Sequence, residues 1–480
     1  MKIKKLTLQN YRYFENLDID FHERLTVIVG NNGSGKTAIL DSIATILSKS
    51  FNYLSTANQR FEKQGRGILD TDFRVYSPEI TIQKKPVQKE TNYQLSFDNP
   101  EFKSPDVVEV EPNYIRNDIP TLADFTYLKI ETTKASWDIW SSPTQNRNKP
   151  ETVIGEKELK DYLLDVIASY DQQRKLTPVF VYYDAGRANI ENIERLKKGN
   201  INYNYPTAAL INSLSINQNK DSLREALEWF DAVEATELRK EKEGNADYSS
   251  LETVRIAISK ILGEEYSNPR FNSKHKFVVT KKLSGQDSIE LSVKQLSQGY
   301  RSMLALAIDF SRRLSIANNH LQDKALDVPA IMLIDEVDLH LHPSWQQRVL
   351  SDLMNAFPNT QFIVTTHSPQ VLSTIKKEHI RVLKDGELVE LSDAIQTYGE
   401  LSSDVLYTIM DVNPRPPIPE RQDLDELTRL VDSGLYNDPK VREVLDKVII
   451  ELGENAEAVK RIKRSIERQQ RFAELKERDK

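Results

Sequence analysis

The stretch Gly30-Asn-Asn-Gly-Ser-Gly-Lys-Thr37 satisfies the pattern G-x-x-x-x-G-K-[ST] in full. Glycines let the backbone curl until successive N–H groups point at phosphate oxygens, and Lys36 adds charge at the β- and γ-phosphates. Thr37 offers a hydroxyl to Mg2+, and a helix starting there turns its positive dipole end toward the same anion. The expected phosphate-binding set is Asn32, Gly33, Gly35, Lys36 and Thr37. Such a loop serves GTPases, kinases and several kinds of ATPase, so the rest of the chain must separate them.

Ala330-Ile-Met-Leu-Ile-Asp335-Glu336 is an apolar run ending in two adjacent carboxylates. A buried parallel strand delivers side chains at its C-terminal end, where nucleotide sites of α/β sheets lie. Asp335 is expected in the Mg2+ shell and Glu336 as the catalytic acceptor that polarises the attacking water. Gln361-Phe-Ile-Val-Thr-Thr-His367 is a second buried strand, whose histidine is expected at the γ-phosphate beside the acidic pair. Leu296-Ser297-Gln-Gly299-Tyr300 precedes a helix, and a Ser-x-Gly turn there is another phosphate-reading device. Ser297 equally serves as an N-cap, and both roles can hold together. His340 and His342, just beyond Asp338, have no further ligand cluster around them for a metal site.

These residues need a scaffold, and periodicity supplies one. Segments 3–9 and 17–29 have strand character, and apolar residues from 37 to 47 recur at helical spacing. Short alternating pieces at 79–83, 93–97, 107–110 and 127–131 predict an antiparallel meander. Helical patterns follow at 156–172, 188–198, 221–243 and 249–262, with a strand at 178–183. A hairpin spans 276–280 and 288–293 around Gly285. Helix 298–315 and strands 330–334 and 361–365 then alternate as an α/β core does. Segments 380–383 and 388–391 flank Asp385-Gly386, a hairpin signal. The expected divisions are 1–140, the N-terminal part of the α/β core with the phosphate loop and an antiparallel sheet; 141–274, a mostly helical insertion; 275–398, the C-terminal part of that core; and 399–480, a helical extension. The prolines at 414–419 break that extension. Its last stretch, 455–480, interleaves Lys/Arg with Glu, which reads as a solvated face or a basic partner or nucleic-acid face.

The 480 residues carry 65 Lys+Arg against 72 Asp+Glu, a net charge of −7, so attraction to nucleic acid requires a local patch. Cysteine is absent, which excludes disulfide frameworks, zinc-thiolate sites and iron–sulfur clusters and suits a reducing cytoplasm. Neither a signal peptide nor a membrane-spanning run is visible, so a cytoplasmic protein without membrane contact is expected.

Taken in order, these elements resemble the ABC-type ATPase heads of the SMC/RecF/OLD group, over residues 1–50 and about 285–385. Leu6-Thr-Leu-Gln-Asn-Tyr-Arg12-Tyr-Phe14 looks like that group's opening strand and arginine loop, which implies Arg12 near the phosphates. Segments 178–187 and 404–416 look like the ATP-binding proteins that include the PtuA-like ATPase subunit of Septu anti-phage systems, also found beside some retrons. The resemblance implies an α/β ABC-type P-loop ATPase head with a β-rich and helical insertion and an α-helical C-terminal extension. It implies ATP held between two facing heads, in a homodimer or higher oligomer, with Ser297 and Gly299 of one head reaching the phosphate loop of the other. Asp338 would pass between the two sites. The resemblance implies a separate HNH-type nuclease as the effector. Neither a Toprim-like acidic cluster nor a His-Asn-His arrangement is visible in this sequence, so any DNA cutting is expected of a partner. Nucleic acid could be met through that partner or a local patch. The signature departs from the transporter-type Ser-Gly-Gly-Gln, and the usual Q-loop glutamine has no anchored position, although Gln59 and Gln64 are available. The expected function is a Mg-ATP-dependent ATPase gating a nuclease in anti-phage defence. The alternative is a RecF-like DNA-repair ATPase; a transporter motor fits neither the long insertion nor the altered signature.

Overall fold

The computed structural model describes residues 1–54, 67–76, 121–143, 150–169, 175–188, 206–214, 219–244, 249–283 and 287–478. Predicted strands at 79–83, 93–97 and 107–110, most of the helix at 188–198, the Gly285 turn, Gln59 and Gln64 lie outside these residues. The chain forms two compact units, Met1–Glu400 and Leu401–Lys480.

The first unit opens with β1 (Ile3–Tyr11) and β2 (Phe14–Asp20), then β3 (Leu25–Gly30). In β1 the inward Leu6 and Leu8 alternate with half-exposed Thr7 and Gln9, the period-two pattern of a sheet with one wet face. β1 lies between β2 and β4 (Thr126–Thr132), and β5 (Ser136–Ser141) completes an antiparallel sheet in the order β2-β1-β4-β5. Its register sets Leu8 opposite both Leu17 and Leu128. β4 contains the predicted 127–131 strand.

β3 is buried from Leu25 to Val29, as a strand covered on both faces must be. It sits in a six-stranded sheet with β6 (Val179–Tyr183), β10 (Ala330–Ile334), β11 (Gln361–Thr366), β12 (Ile380–Lys384) and β13 (Glu387–Val389), in the order β13-β12-β3-β11-β10-β6. All neighbours are parallel except the β12–β13 edge hairpin. Register brings the strand ends level: Gly30 pairs with Leu383, Thr366 with Val29, and Ile334 with both Val364 and Tyr183. The loops that follow β3, β6, β10 and β11 therefore leave from one edge of the sheet, where ligands of open α/β sheets bind. Within 141–274, the span read as mostly helical, β6 thus joins this sheet beside β10.

Helices α1 (Lys36–Leu47), α2 (Lys157–Ala168), α3 (Asn219–Lys242), α4 (Ser249–Leu262) and α5 (Gln298–Ala317) follow the predicted patterns. β7 (Tyr266–Phe271), β8 (Phe277–Lys282) and β9 (Ser288–Ser292) form a separate antiparallel sheet with β8 central. α6 (Val349–Ala356) connects β10 to β11.

The second unit packs α7 (Arg421–Asp432), α8 (Pro439–Leu452) and α9 (Glu457–Arg478) around Leu424, Leu427, Val431, Val441, Val448 and Val459. Asp438 caps α8, its side chain accepting from Lys440 N at 2.9 Å, and Pro439 follows at the first helical position. No helix among the described residues is long and apolar enough to cross a membrane.

Candidate functional site

The phosphate loop joins β3 to α1. Gly35, the N-cap of α1, has φ of 100°, and a Cβ there would lie 2.6 Å from the Phe14 ring; glycine is required on both counts. The buried Lys36 ammonium donates to the carbonyls of Gly30 and Asn31, each at 2.9 Å, and so ties the loop into a ring. Burial pulls its pKa below the ordinary lysine value, against the opposing pull of Asp335, Glu336 and Asp338. Asn32 and Gly33 stand exposed at the crown of the loop, and Ser34 Oγ is buried without a hydrogen-bond partner. A cationic ring with an unused hydroxyl beneath it fits a polyphosphate.

Thr37, which follows Lys36, donates its hydroxyl to Asp335 Oδ2 at 2.8 Å, across 298 residues of sequence. Thr365 Oγ1 reaches Asp335 Oδ1 at 2.5 Å and also accepts from the Glu336 backbone N–H at 2.7 Å. A hydroxyl and a carboxylate converging on one point are the hard oxygen donors that Mg2+ takes alongside nucleotide phosphates. Thr37 and Asp335 therefore fit the ion they were expected to hold. Glu336 turns away from the strand at φ 48°, a conformation held by the Thr365 hydroxyl on its backbone nitrogen, and its side chain is half-buried. The next threonine of β11 projects to the other face: Thr366 Oγ1 donates to Asp338 Oδ1 at 2.6 Å, and His367 N–H approaches the same oxygen at 3.4 Å. Lys36, Thr37, Asp335, Glu336, Asp338 and His367 are thus brought together at one sheet edge.

Burial, and then the charge of Lys36, pull the His367 imidazole below its ordinary value of 6.5, against Asp338, Glu336 and Asp335. Lowering the folded-state value means that the unfolded chain takes up this proton first. The stability tied to neutral His367 is present above pH 6.5 and is lost as pH falls through the lower folded value. An NMR titration, assigned with His367→Gln, should place the ring's midpoint below 6.5; a midpoint above it would contradict the geometry.

Arg12 lies one step further out. Its φ is 48°, and its guanidinium donates to Asp41 Oδ2 of α1 at 2.7 Å and to Asp72 Oδ1 at 2.9 Å. Burial opposes the charge, but Tyr11, Asp41 and Asp72 raise its pKa overall. Asp41 Oδ1 in turn accepts from the Tyr182 hydroxyl of β6 at 3.0 Å. On the opposite face of that strand, Tyr183 OH donates to Asp309 Oδ2 of α5 at 2.9 Å, while its carbonyl accepts from Asp335 N–H at 2.9 Å. Asp309 is clasped by Arg312 at 2.6 Å and Arg313 at 2.8 Å, all three buried.

Ser297 and Gly299 begin α5. Ser297 Oγ accepts from Tyr300 N–H at 3.5 Å, which is the N-cap role. A Cβ on Gly299 would lie 2.7 Å from the His340 carbonyl oxygen, so the signature packs directly on the loop that carries Asp338. Tyr300, which with Gln298 departs from the transporter-type signature, packs with tilted rings between Tyr266 at 5.0 Å and Trp345 at 4.3 Å. No described hydrogen bond or ion pair connects Ser297 or Gly299 to Lys36 or Thr37. His342 caps the short helix after it, accepting from Ser344 N–H at 3.3 Å. Sequence reasoning missed Asp41, Asp72, Tyr182 and Thr365. Only Thr365 carried a local signal, a hydroxyl at the end of an apolar strand.

The AAA ATPase domain family matches residues 1–372. The chain is 29% identical to the Retron Ec83 probable ATPase of Escherichia coli over 505 aligned positions, covering 98% of this chain and 87% of that protein. It is 40% identical to the Septu protein PtuA of Bacillus mycoides (strain KBAB4) over 95 residues, 20% of this chain and 13% of that one. Among solved structures it is similar to the Smc head bound to the C-terminal winged-helix domain of ScpA, at TM-score 0.41 and 17% identity, covering 82% of this chain and 99% of that one.

Proposed function

The chain belongs to the AAA ATPase domain family, and from that premise we propose that it binds and hydrolyses Mg-ATP and that the nucleotide gates a partner nuclease in anti-phage defence. The observation that carries the reading is the convergence of Lys36, Thr37, Asp335 and Glu336 at one sheet edge. Thr37 and Asp335 would hold Mg2+, which when bound neutralises charge on the phosphate oxygens. Lys36 leaves the loop carbonyls for the nucleotide's phosphates, and the loop N–H groups orient them. Glu336 accepts the proton of the attacking water, and neutral His367 donates toward the γ-phosphate.

Gly299 packs against the His340 carbonyl, and no described hydrogen bond or ion pair joins Ser297 or Gly299 to the phosphate loop of the same chain, which supports a reading in which two heads complete each site. Similarity to a retron probable ATPase of Escherichia coli and to a Septu protein of Bacillus mycoides supports the defence setting. For gating, ATP must bind one assembly state better than another, since equal affinity for both shifts nothing.

Pull-down followed by native mass spectrometry, with and without Mg-ATP, tests the reading. The expected result is a small nuclease whose stoichiometry changes with nucleotide, and no such change in Lys36→Ala, which should not bind ATP. Recovery of the homo-oligomer alone, bound to DNA in a salt-sensitive way, would replace this reading with a RecF-like repair ATPase.

A further inference from the structure

In the C-terminal unit, α7 and α9 flank a cleft of about 670 Å3. Its floor is apolar: Leu424 and Val431 from α7, Leu452 from the end of α8, and Ile462 from α9. Its rim holds five arginines, Arg415, Arg421, Arg461, Arg464 and Arg468, against two acids, Asp432 and Glu457. Arg415 bonds Asp425 at 2.6 Å and the Thr428 hydroxyl at 2.8 Å, Arg421 lies 3.9 Å from the same carboxylate, and Arg464 reaches Glu457 at 3.3 Å. Arg461 and Arg468 are exposed and form no ion pair with a described residue.

Spacing adds direction to this charge. Arg461, Arg464 and Arg468 recur at i, i+3 and i+7, so they stand in one row along α9. The lining of α9 runs from Glu457 to Arg468, roughly 17 Å at the helical rise, or about three turns. An anionic occupant with an apolar side satisfies floor and rim together. A nucleic-acid strand satisfies only the rim: none of the lining side chains is aromatic, so bases find no stacking platform.

We propose that this cleft docks an acidic amphipathic helix of a separate polypeptide, about three turns long. Apolar anchors at i, i+4 and i+7 would fill the floor, and flanking carboxylates would pair with Arg461, Arg464 and Arg468, whose forked donors suit carboxylates. The inference stands apart from the ATPase reading, because the unit begins at Leu401, beyond the residues matched by the family.

The test uses the full chain and a fluorescent helical peptide of about four turns, with leucines at i, i+4 and i+7 flanked by glutamates. Fluorescence anisotropy should report micromolar binding that weakens at least about tenfold in three cases. These are glutamine in place of the peptide's glutamates, serine in place of its leucines, and the double variant Arg461→Glu/Arg468→Glu of the protein. Both arginines are exposed, so the variant should keep the parent's circular dichroism. Absence of acidic-peptide binding overturns the proposal. So does equal binding by the double variant, or displacement of the peptide by single-stranded DNA through the same arginines, which would make the cleft a nucleic-acid site.

Discussion

Glu336→Gln should slow ATP hydrolysis by about 10²- to 10⁴-fold, the usual worth of a positioned general base, while ATP binding persists. The backbone that aims this side chain is held from outside it, by the Thr365 hydroxyl on the Glu336 nitrogen at 2.7 Å, so an isosteric amide should keep the geometry. Lys36, Thr37 and Asp335, the groups proposed to face phosphate and Mg2+, are untouched. A protein that binds ATP and cannot use it should accumulate the ATP-bound state and whatever assembly that state favours. Single-turnover hydrolysis beside equilibrium ATP binding separates the two effects. Normal turnover would assign the water to another residue; loss of binding would mean that Glu336 supports the loop.

Asp309→Ala should cost about 3–5 kcal/mol of stability, the penalty for leaving buried charge uncompensated. Arg312 and Arg313 are 2% and 1% exposed, and both direct a nitrogen to this carboxylate. Arg313 would keep the carbonyls of Ala209 and Ile211 on Nη1 at 2.6 and 2.8 Å, but its Nε–H would lose the Asp309 acceptor and its charge would be unbalanced. The Tyr183 hydroxyl would lose its acceptor as well. Urea denaturation measures the loss as a lowered midpoint. An exposed pair gives the contrast: Arg464 and Glu457 are 69% and 67% exposed, and breaking their 3.3 Å contact should change little. Burial alone would raise the Asp309 pKa, but Arg313 and Arg312 overcome it and hold the carboxyl below its ordinary 3.8. Its stabilisation is therefore complete above that value and is lost as pH falls through the lower folded one.

What the sequence makes legible here is local. The loop between β3 and α1, the acids ending β10 and the histidine after β11 were readable because each closes a run whose periodicity names its element. The α/β class followed from the same alternation. Arg12 was placed by resemblance, whereas its partners Asp41, Asp72 and, beyond Asp41, Tyr182 lie 29, 60 and about 170 positions away, with no spacing rule to join them. Ser297 was legible as a cap because capping is local. Gly299 carried no sign that the His340 carbonyl would lie against it, since that contact exists only once α5 meets the loop after β10.

Tyr182 and Tyr183 are adjacent, yet one bonds the helix of the phosphate loop and the other the helix of the signature. A strand alternates sides with every residue, so this arrangement has a parity. Deleting or inserting a single residue early in β6 would send each hydroxyl to the wrong helix at once. The length of this segment is thereby constrained more tightly than its composition: Phe for Tyr loses one bond, but a one-residue slip loses both and reverses every side chain beyond it. Tolerated length changes in this part of the chain should come in pairs, or fall outside the strand.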